Sequence, residues 1–353
     1  MLNNLQNLRA LAAYSVVFYH CLMRFVTPGD AIGRAYLDLP SGGVDLFFVI
    51  SGFVMVHTTR ADEKPYWFAT KRVARIVPLY WVATAIVIAM VVLRDWIFPN
   101  VRLTAETILS SLFFVPHHDA SGSFFPILGV GWTLNYEMMF YALFAISLFL
   151  PTAWRLVAVI SLITLVWLFA TIVKATNLGG GSVIGDFYSH PIIFEFAAGC
   201  IIAHALRMPS VIAFVRTTPM WPIALVGFAA FLLLPALAPV GTSTVLRYGA
   251  PAVLVVFAVA AQDLYRAPAR ETFVTRLGDA SYSAYLLHPI VIAIMGQAAL
   301  LTVGTGLLAE GVIIVATVVV TAVISLYSMK YFEKPTAAFL RNCVRPQRSL
   351  AGH

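Results

Sequence analysis

The chain has 353 residues and a composition that excludes a soluble globular protein. Hydrophobic residues make up 60% of it and charged residues only 11%, whereas soluble domains have roughly 45–50% and about 25%. The formal net charge of +7 does not indicate nucleic-acid binding, because the Lys and Arg residues of membrane proteins collect in short cytoplasmic loops. The composition therefore predicts a multi-pass membrane protein in contact with lipids.

Apolar segments near the length of a bilayer crossing predict an all-α, polytopic bundle of about ten transmembrane helices. In chain order they cover residues 5–26, 43–59, 78–93, 132–150, 156–173, 191–206, 220–237, 248–261, 282–303 and 307–327. Placing both termini in the cytoplasm puts 17 of the 23 Lys and Arg residues inside and 6 outside, which the positive-inside rule favours. Residues 1–330 form the predicted transmembrane domain, and residues 331–353 a short basic cytoplasmic tail.

The first predicted helix carries two ionisable residues, Arg9 and His20, eleven positions apart. Eleven residues are close to three turns, so both side chains lie on one face, separated by about 16 Å along the axis. Arg9 lies at the predicted cytoplasmic end and His20 beyond the middle of the bilayer. An arginine that reaches lipid phosphate and a histidine bonded to a neighbouring helix would explain them equally well. Ionisable groups at membrane depth are nevertheless functional candidates.

Glu137 lies near the outer end of the fourth predicted helix, in the segment GWTLNYEMMFY. A carboxylate at that depth needs a cationic or histidine partner, and His20 comes from a matching depth. A carboxylate that holds an imidazole is the arrangement of a general base. Asp45 and Glu195 could fill the same partner role, and a structural hydrogen bond between helices is the simpler explanation of Glu137.

Two further groups of residues point to the cytoplasmic side. Arg72 and Arg75 are one helical turn apart before the third predicted helix, a spacing suited to clamping phosphate or pyrophosphate, although positive-inside anchoring also explains them. Tyr282, Tyr285 and His288 follow at three-residue steps, and an aromatic belt explains the tyrosines but not the histidine. No histidine pair has zinc-site spacing, so no metal is predicted.

These segments occur in an order that resembles one family. The chain is similar to the acyltransferase-3 family of bacterial membrane O-acyltransferases, which modify surface and exported carbohydrates. The matching segments, which cover nearly the whole chain, are NLQNLRALAAYSVVFYHC, SGGVDLFFVISGFVM, KRVARIVPLYW, GWTLNYEMMFY, SYSAYLLHPIV and YFEKP. Because about 26 residues follow the last predicted span, the short form looks most like the exopolysaccharide acetyltransferases of the family.

The resemblance implies an acyl-CoA donor, usually acetyl-CoA, and several site residues. Arg9 and His20 match the essential arginine–histidine pair of the family, Arg72 and Arg75 its paired cytoplasmic arginines, and Glu137 its acidic residue. The resemblance also implies a bacterial inner-membrane location and a carbohydrate or lipid-linked sugar as the acceptor.

The first hypothesis is therefore an acyl-CoA-dependent O-acyltransferase. Arg9, Arg72 and Arg75 are expected to bind the CoA phosphates, with Tyr285 and His288 beside the CoA body. His20, oriented by Glu137, is expected to deprotonate a sugar hydroxyl or to accept the acyl group itself. His288 is the rival reacting residue, placed about two turns from the cytoplasmic side.

The second hypothesis is a proton-coupled exporter or flippase of a glycan or small molecule. It would use His20, Glu137, Asp45 and Glu195 as a proton relay. Intramembrane charge fits it as well as the first hypothesis. It leaves the arginine pair and the ordered motifs unexplained.

Overall fold

The computed structural model describes residues 2–26, 42–176, 182–237, 242–266, 270–302 and 307–344. The described residues form helices and no strands. We number the α-helices α1 Asn3–Phe25, α2 Gly43–Thr58, α3 Pro65–Leu93, α4 Ala105–Leu112, α5 Trp132–Ser147, α6 Thr152–Thr176, α7 Val183–Tyr188, α8 Ile193–Ala205, α9 Pro209–Thr217, α10 Trp221–Leu237, α11 Ala250–Tyr265, α12 Phe273–Asp279, α13 Ser281–Thr302, α14 Leu307–Ser328 and α15 Lys334–Val344.

A helix lies at each of the ten predicted positions, but fewer meet the requirements for crossing a bilayer. Five described helices are long and apolar enough: Pro65–Leu93, Thr152–Thr176, Val245–Tyr265, Ser281–Ala299 and Leu308–Val344. The bent pair α8 and α9, which meet at 84°, would add a sixth if it forms one span. The all-helical prediction is confirmed. The count of ten spans and the cytoplasmic termini stay predictions.

The helix that contains the third predicted span begins well before residue 78. Helix α3 begins at Pro65 and continues for 29 residues through Pro78, and proline at the first helical position is well tolerated. Two basic residues of this helix form ion pairs: Lys71 Nζ lies 2.5 Å from Oε1 of Glu63, and Arg75 Nε lies 3.9 Å from Oε1 of Glu333. Arg72 and Arg75 are therefore on a rigid helix rather than in a loop.

The C-terminal helix is also longer than the sequence suggested. A π-helical turn, Met329–Glu333, joins α14 to α15, so the apolar helix runs to Val344 and includes the first part of the predicted tail. Residues 345–353 lie outside the described residues. The π turn directs Glu333 into the protein, where it is buried.

Helices α2 and α8 cross at the centre of the bundle through two glycines. A Cβ atom on Gly52 would clash with the backbone oxygen of Phe196, and one on Gly199 would clash with that of Val49. Small residues allow this close approach between membrane helices. The contact fixes α2, which carries Phe47 and Ser51 of the site described below.

Helix α1 is held at its N-terminal end by a carboxylate from α11. Its own N-cap residue, Leu2, provides no side-chain cap. Asp263 instead accepts from the backbone N–H groups of Asn4 at 3.1 Å and Leu5 at 2.9 Å. An anion at a helix N-terminus satisfies free N–H groups and complements the helix dipole. This capping fixes the position of Arg9, one turn further along α1.

We predict that Gly52→Ala destabilises the bundle, because the added methyl group has no room against the backbone of α8. Overpacking of this kind costs about 1–3 kcal/mol and should lower the thermal unfolding midpoint in detergent. Gly311→Ala is the matched control, since a Cβ there meets no atom within 4 Å. Equal midpoints for the two variants would contradict the close crossing.

Candidate active site

A half-open cavity lies between α1, α2, α3, α5 and α13. Its empty volume, including the part open to solvent, is about 830 Å³. The polar and charged residues that line it are Arg9, Ser51, Arg72, Arg75, Thr133, Glu137, Tyr141, Ser281, Tyr282 and Tyr285. The structure thus brings together four of the five predicted cofactor-binding residues, Arg9, Arg72, Arg75 and Tyr285.

Arg72 is held flat against aromatic rings. Its guanidinium carbon lies 5.3 Å from the Phe68 ring centroid and 5.7 Å from that of Tyr141, distances at which cation–π attraction operates. One terminal nitrogen donates to Thr58 at 3.2 Å, while Nε has no hydrogen-bond partner among the described residues. A positioned guanidinium with unused donors suits the binding of an anionic group.

Arg75 is oriented by the C-terminal helix. Its Nε lies 3.9 Å from Oε1 of Glu333, and Ser283 donates to the other oxygen of that carboxylate at 2.8 Å. The π turn Met329–Glu333 points the Glu333 side chain at α3 and α13. Arg75 also interacts electrostatically with Arg9, so the two positive charges lie close together.

Glu137 does not pair with His20, which corrects the expected base–carboxylate pair. Its Oε1 accepts a hydrogen bond from Ser51 at 2.6 Å, and the carboxylate also interacts with the Tyr141 hydroxyl. Glu137 therefore belongs to the arginine-lined cavity. The cavity is lined by the guanidinium groups of Arg9, Arg72 and Arg75 and by the carboxylate of Glu137. This excess of positive charge suits the binding of a polyvalent anion.

His20 instead meets His288, the residue that was expected to lie nearer the cytoplasm. The two ring centroids are 5.0 Å apart, and Nε2 of His288 lies 3.2 Å from Nδ1 of His20. The packing of Val17 and Cys21 against Ile292 holds α1 on α13 at this level. The two histidines are one site rather than rivals at different depths.

Tyr285 separates the cavity from the histidine pair. It lines the cavity, and its ring centroid is 5.9 Å from His288 and 6.0 Å from Phe47. Its hydroxyl donates to the Val130 carbonyl at 3.0 Å and lies 2.9 Å from the Thr133 hydroxyl. Neither histidine lines the cavity, so a ligand in the cavity reaches them past this ring.

The carboxylates considered as alternative partners of His20 lie elsewhere. Asp45 and Glu195 are buried and interact with each other across the contact of α2 and α8. Among the described residues, no group of three or more His, Cys, Asp or Glu side chains could hold a metal ion.

Sequence reasoning missed two residues that line the cavity, Ser51 and Tyr141. It also did not predict that Tyr282 lines the cavity or that Glu333 contacts Arg75. Ser51 and Tyr141 lie inside two of the segments that carry the resemblance, and Tyr141 is one turn from Glu137, so helical spacing could have identified it. Tyr282 donates to the Ile76 carbonyl at 2.6 Å, a contact between helices that no spacing within one helix reveals.

Comparisons with known proteins find sequence similarity over most of the chain. A family profile described as an acyltransferase domain matches residues 2–327. The exopolysaccharide production protein ExoZ of Rhizobium meliloti (strain 1021) is 37% identical over 273 residues, which cover 77% of this chain and 82% of ExoZ. Acyltransferase MdmB of Streptomyces mycarofaciens is 27% identical over 327 residues, covering 82% of this chain and 79% of MdmB.

A third relative is the putative peptidoglycan O-acetyltransferase YrhL of Bacillus subtilis (strain 168). It is 27% identical over 224 residues, which cover 56% of this chain and 32% of YrhL. No solved structure is significantly similar to the chain.

We predict that pyrophosphate binds the cavity and raises the thermal unfolding midpoint of the purified protein. A ligand at 100 times its dissociation constant stabilises the folded state by about 2.7 kcal/mol. The double variant Arg72→Ala/Arg75→Ala should lose this shift, because its guanidiniums are the proposed donors.

Arg60→Ala is the control for this experiment, since Arg60 is 78% exposed, pairs with Asp62 and does not line the cavity. The control should keep the full shift. A shift that survives in the double variant would mean that the anion binds at another place.

Proposed function

Because this chain belongs to the acyltransferase-3 family, we propose that it transfers an acyl group, usually acetyl, from cytoplasmic acyl-CoA to a hydroxyl of an exported or surface carbohydrate. The observation that carries the proposal is a positively charged cavity lined by Tyr285, whose ring also contacts one of a pair of histidines. CoA has the matching chemistry: a polyanionic nucleotide end and a long, thin arm that ends in the reactive thioester.

Arg9, Arg72 and Arg75 bind the phosphates in this proposal. Charge-assisted hydrogen bonds to phosphate contribute about 1.5–3 kcal/mol each, so loss of Arg72 or Arg75 raises KM for the donor more than it lowers kcat. Glu137 stays in the cavity with Ser51, where its carboxylate can accept from amide N–H groups of the pantetheine arm. Its expected role in orienting His20 is not part of the proposal.

His20 acts at the thioester. In the direct route it takes the proton of the acceptor hydroxyl, the oxygen attacks the thioester carbonyl, and the proton passes to the departing CoA sulfur. In the covalent route the imidazole attacks the thioester carbonyl and the C–S bond breaks to release CoA as thiolate. The sugar oxygen then attacks the acyl-imidazole and displaces the imidazole, which takes the hydroxyl proton, and that proton passes to the CoA thiolate. Both routes give an ester and free CoA. General-base assistance typically increases the reaction rate roughly 10²–10⁴-fold. Holding the donor and the acceptor in position next to each other increases the rate further, because it raises their effective molarity.

A carbohydrate acceptor is supported by the names of the relatives. ExoZ is an exopolysaccharide production protein, and YrhL is described as a putative peptidoglycan O-acetyltransferase. We propose an exported polysaccharide or its lipid-linked precursor as the acceptor, and the bacterial inner membrane as the location. His20 lies about 16 Å along α1 from Arg9, so it can be reached by a donor and an acceptor from opposite faces of the membrane.

A proton-coupled exporter is less well supported. It needs a continuous relay through His20, Glu137, Asp45 and Glu195. The side chains instead form three groups: His20 with His288, Glu137 with Ser51, and Asp45 with Glu195.

We predict that His20→Ala abolishes acyl transfer to a carbohydrate acceptor and leaves CoA binding nearly unchanged, because His20 does not line the cavity that would bind the CoA phosphates. Transfer is measured with radiolabelled acetyl-CoA in proteoliposomes, and binding by thermal shift. Retained transfer in His20→Ala would remove His20 from the reacting centre.

We also predict that both termini lie in the cytoplasm, because this orientation places 17 of 23 basic residues inside. A fluorescent reporter that matures only in the cytoplasm should be bright when fused after residue 353. A phosphatase reporter that is active only outside the membrane should be inactive there. The reverse pattern would place the arginine cavity on the wrong side for cytoplasmic CoA.

A further inference from the structure

The tautomer of His20 follows from its hydrogen-bond partners. Nδ1 of His20 lies 2.9 Å from the carbonyl oxygen of Val16, one turn earlier on α1. A carbonyl oxygen only accepts hydrogen bonds, so this contact favours the hydrogen on Nδ1 without being the only partner of that nitrogen. A neutral imidazole has one N–H group. In the Nδ1–H tautomer, Nε2 of His20 holds a lone pair.

The same reasoning applies to His288. Its Nδ1 lies 3.2 Å from the carbonyl oxygen of Ala284, and the ring also interacts with the carbonyl of Tyr285. Pro289 has no N–H group, so that Tyr285 carbonyl lacks its usual helical donor. The contact with the Ala284 carbonyl favours the hydrogen on Nδ1. Nε2 of His288 then presents a lone pair to the N–H of His20, 3.2 Å away.

The opposite assignment leaves two unfavourable contacts. With hydrogen on Nε2 of both rings, the Nδ1 lone pair of His20 would face the Val16 carbonyl, and that of His288 would face the Ala284 carbonyl. His288 is completely buried, so no water relieves such a contact on its side, and unpaired buried polar groups are costly. Only the Nδ1–H pair satisfies every polar contact of the two rings.

We infer that His288 is a positioning residue that holds His20 as its Nδ1–H tautomer and so leaves Nε2 of His20 as the base or nucleophile. This inference rests on the proposed function, since it assigns the reacting atom of the proposed transfer. It replaces the expected role of His288 beside the CoA body. His288 takes the place that a carboxylate holds in serine hydrolases.

Each proton has a defined position at every step of the direct route. When Nε2 of His20 takes the hydroxyl proton, the resulting imidazolium keeps its Nδ1–H directed at the lone pair of His288 and at the Val16 carbonyl. The proton on Nε2 then passes to the departing CoA sulfur. Throughout, the Nδ1–H of His288 keeps donating to the Ala284 carbonyl. A neutral acceptor stabilises the cation without a second ionised group buried in the bundle, which would be costly.

The test compares His288→Gln with His288→Met, two side chains of similar length and shape. The amide oxygen of Gln can accept from His20 near the position of Nε2, whereas the thioether of Met is only a weak acceptor. We expect His288→Gln to keep kcat within about tenfold of the parent and His288→Met to lose at least about a hundredfold, with KM for acetyl-CoA unchanged in both. Equal loss in both variants, or no loss in His288→Met, overturns the inference.

A second readout needs no acyl transfer. Nitrogen NMR of protein labelled with ¹⁵N-histidine, with the His20 signals identified by their loss in His20→Asn, reports which ring nitrogen is protonated. We expect Nδ1–H in the parent and in His288→Gln, and a mixture in His288→Met; Nε2–H in the parent overturns the inference even if His288→Met fails to fold. If the parent shows Nδ1–H but no variant or parent transfers acetyl from CoA, the proposed function fails and the assigned tautomer stands.

Discussion

Each ionisable group buried in an apolar bundle must find a partner, and this constraint determines where chemistry can occur in the protein. An unpaired charge at membrane depth costs several kcal/mol, and the described charges and histidines accordingly form separate groups. Arg75 pairs with Glu333 and Glu137 with Ser51, while Asp45 and Glu195 interact with each other. The histidines bind each other and two carbonyls, an arrangement that is satisfied while both rings are neutral.

The packing of α1 against its neighbours connects these groups. Asp263 caps its N-terminal end beside Arg9, and Val17 and Cys21 pack against α13 near His20. One helix thus contributes a cation to the cavity and a histidine to the pair beyond it. In the proposed reaction, this fixed spacing lets a long donor place its phosphates and its thioester in different environments.

The sequence predicted those features that depend on one helix at a time. Apolar runs located helices at all ten positions. Helical spacing selected two pairs of candidate residues, Arg9 and His20 on one helix and Arg72 and Arg75 on another. The partner of Glu137 was wrong because depth along a helix says nothing about the direction in which a side chain points. The depth of His288 was wrong for a related reason: it was estimated from sequence distance to the helix start, whereas packing on α1 sets it. The contact of Glu333 with Arg75 was missed because a π turn, which helical periodicity does not predict, rotates the Glu333 side chain inward.

The central claim is that one ligand spans the arginine cavity and the histidine pair, and a structure of the protein with a non-reactive acetyl-CoA analogue tests it most directly. The account predicts the phosphates against Arg72 and Arg75, the arm passing Tyr285, and the carbonyl carbon of the acyl group within about 3–3.5 Å of Nε2 of His20 or of an acceptor oxygen bonded to it. An analogue bound outside the cavity, or one whose acyl group ends short of Tyr285, would contradict the account.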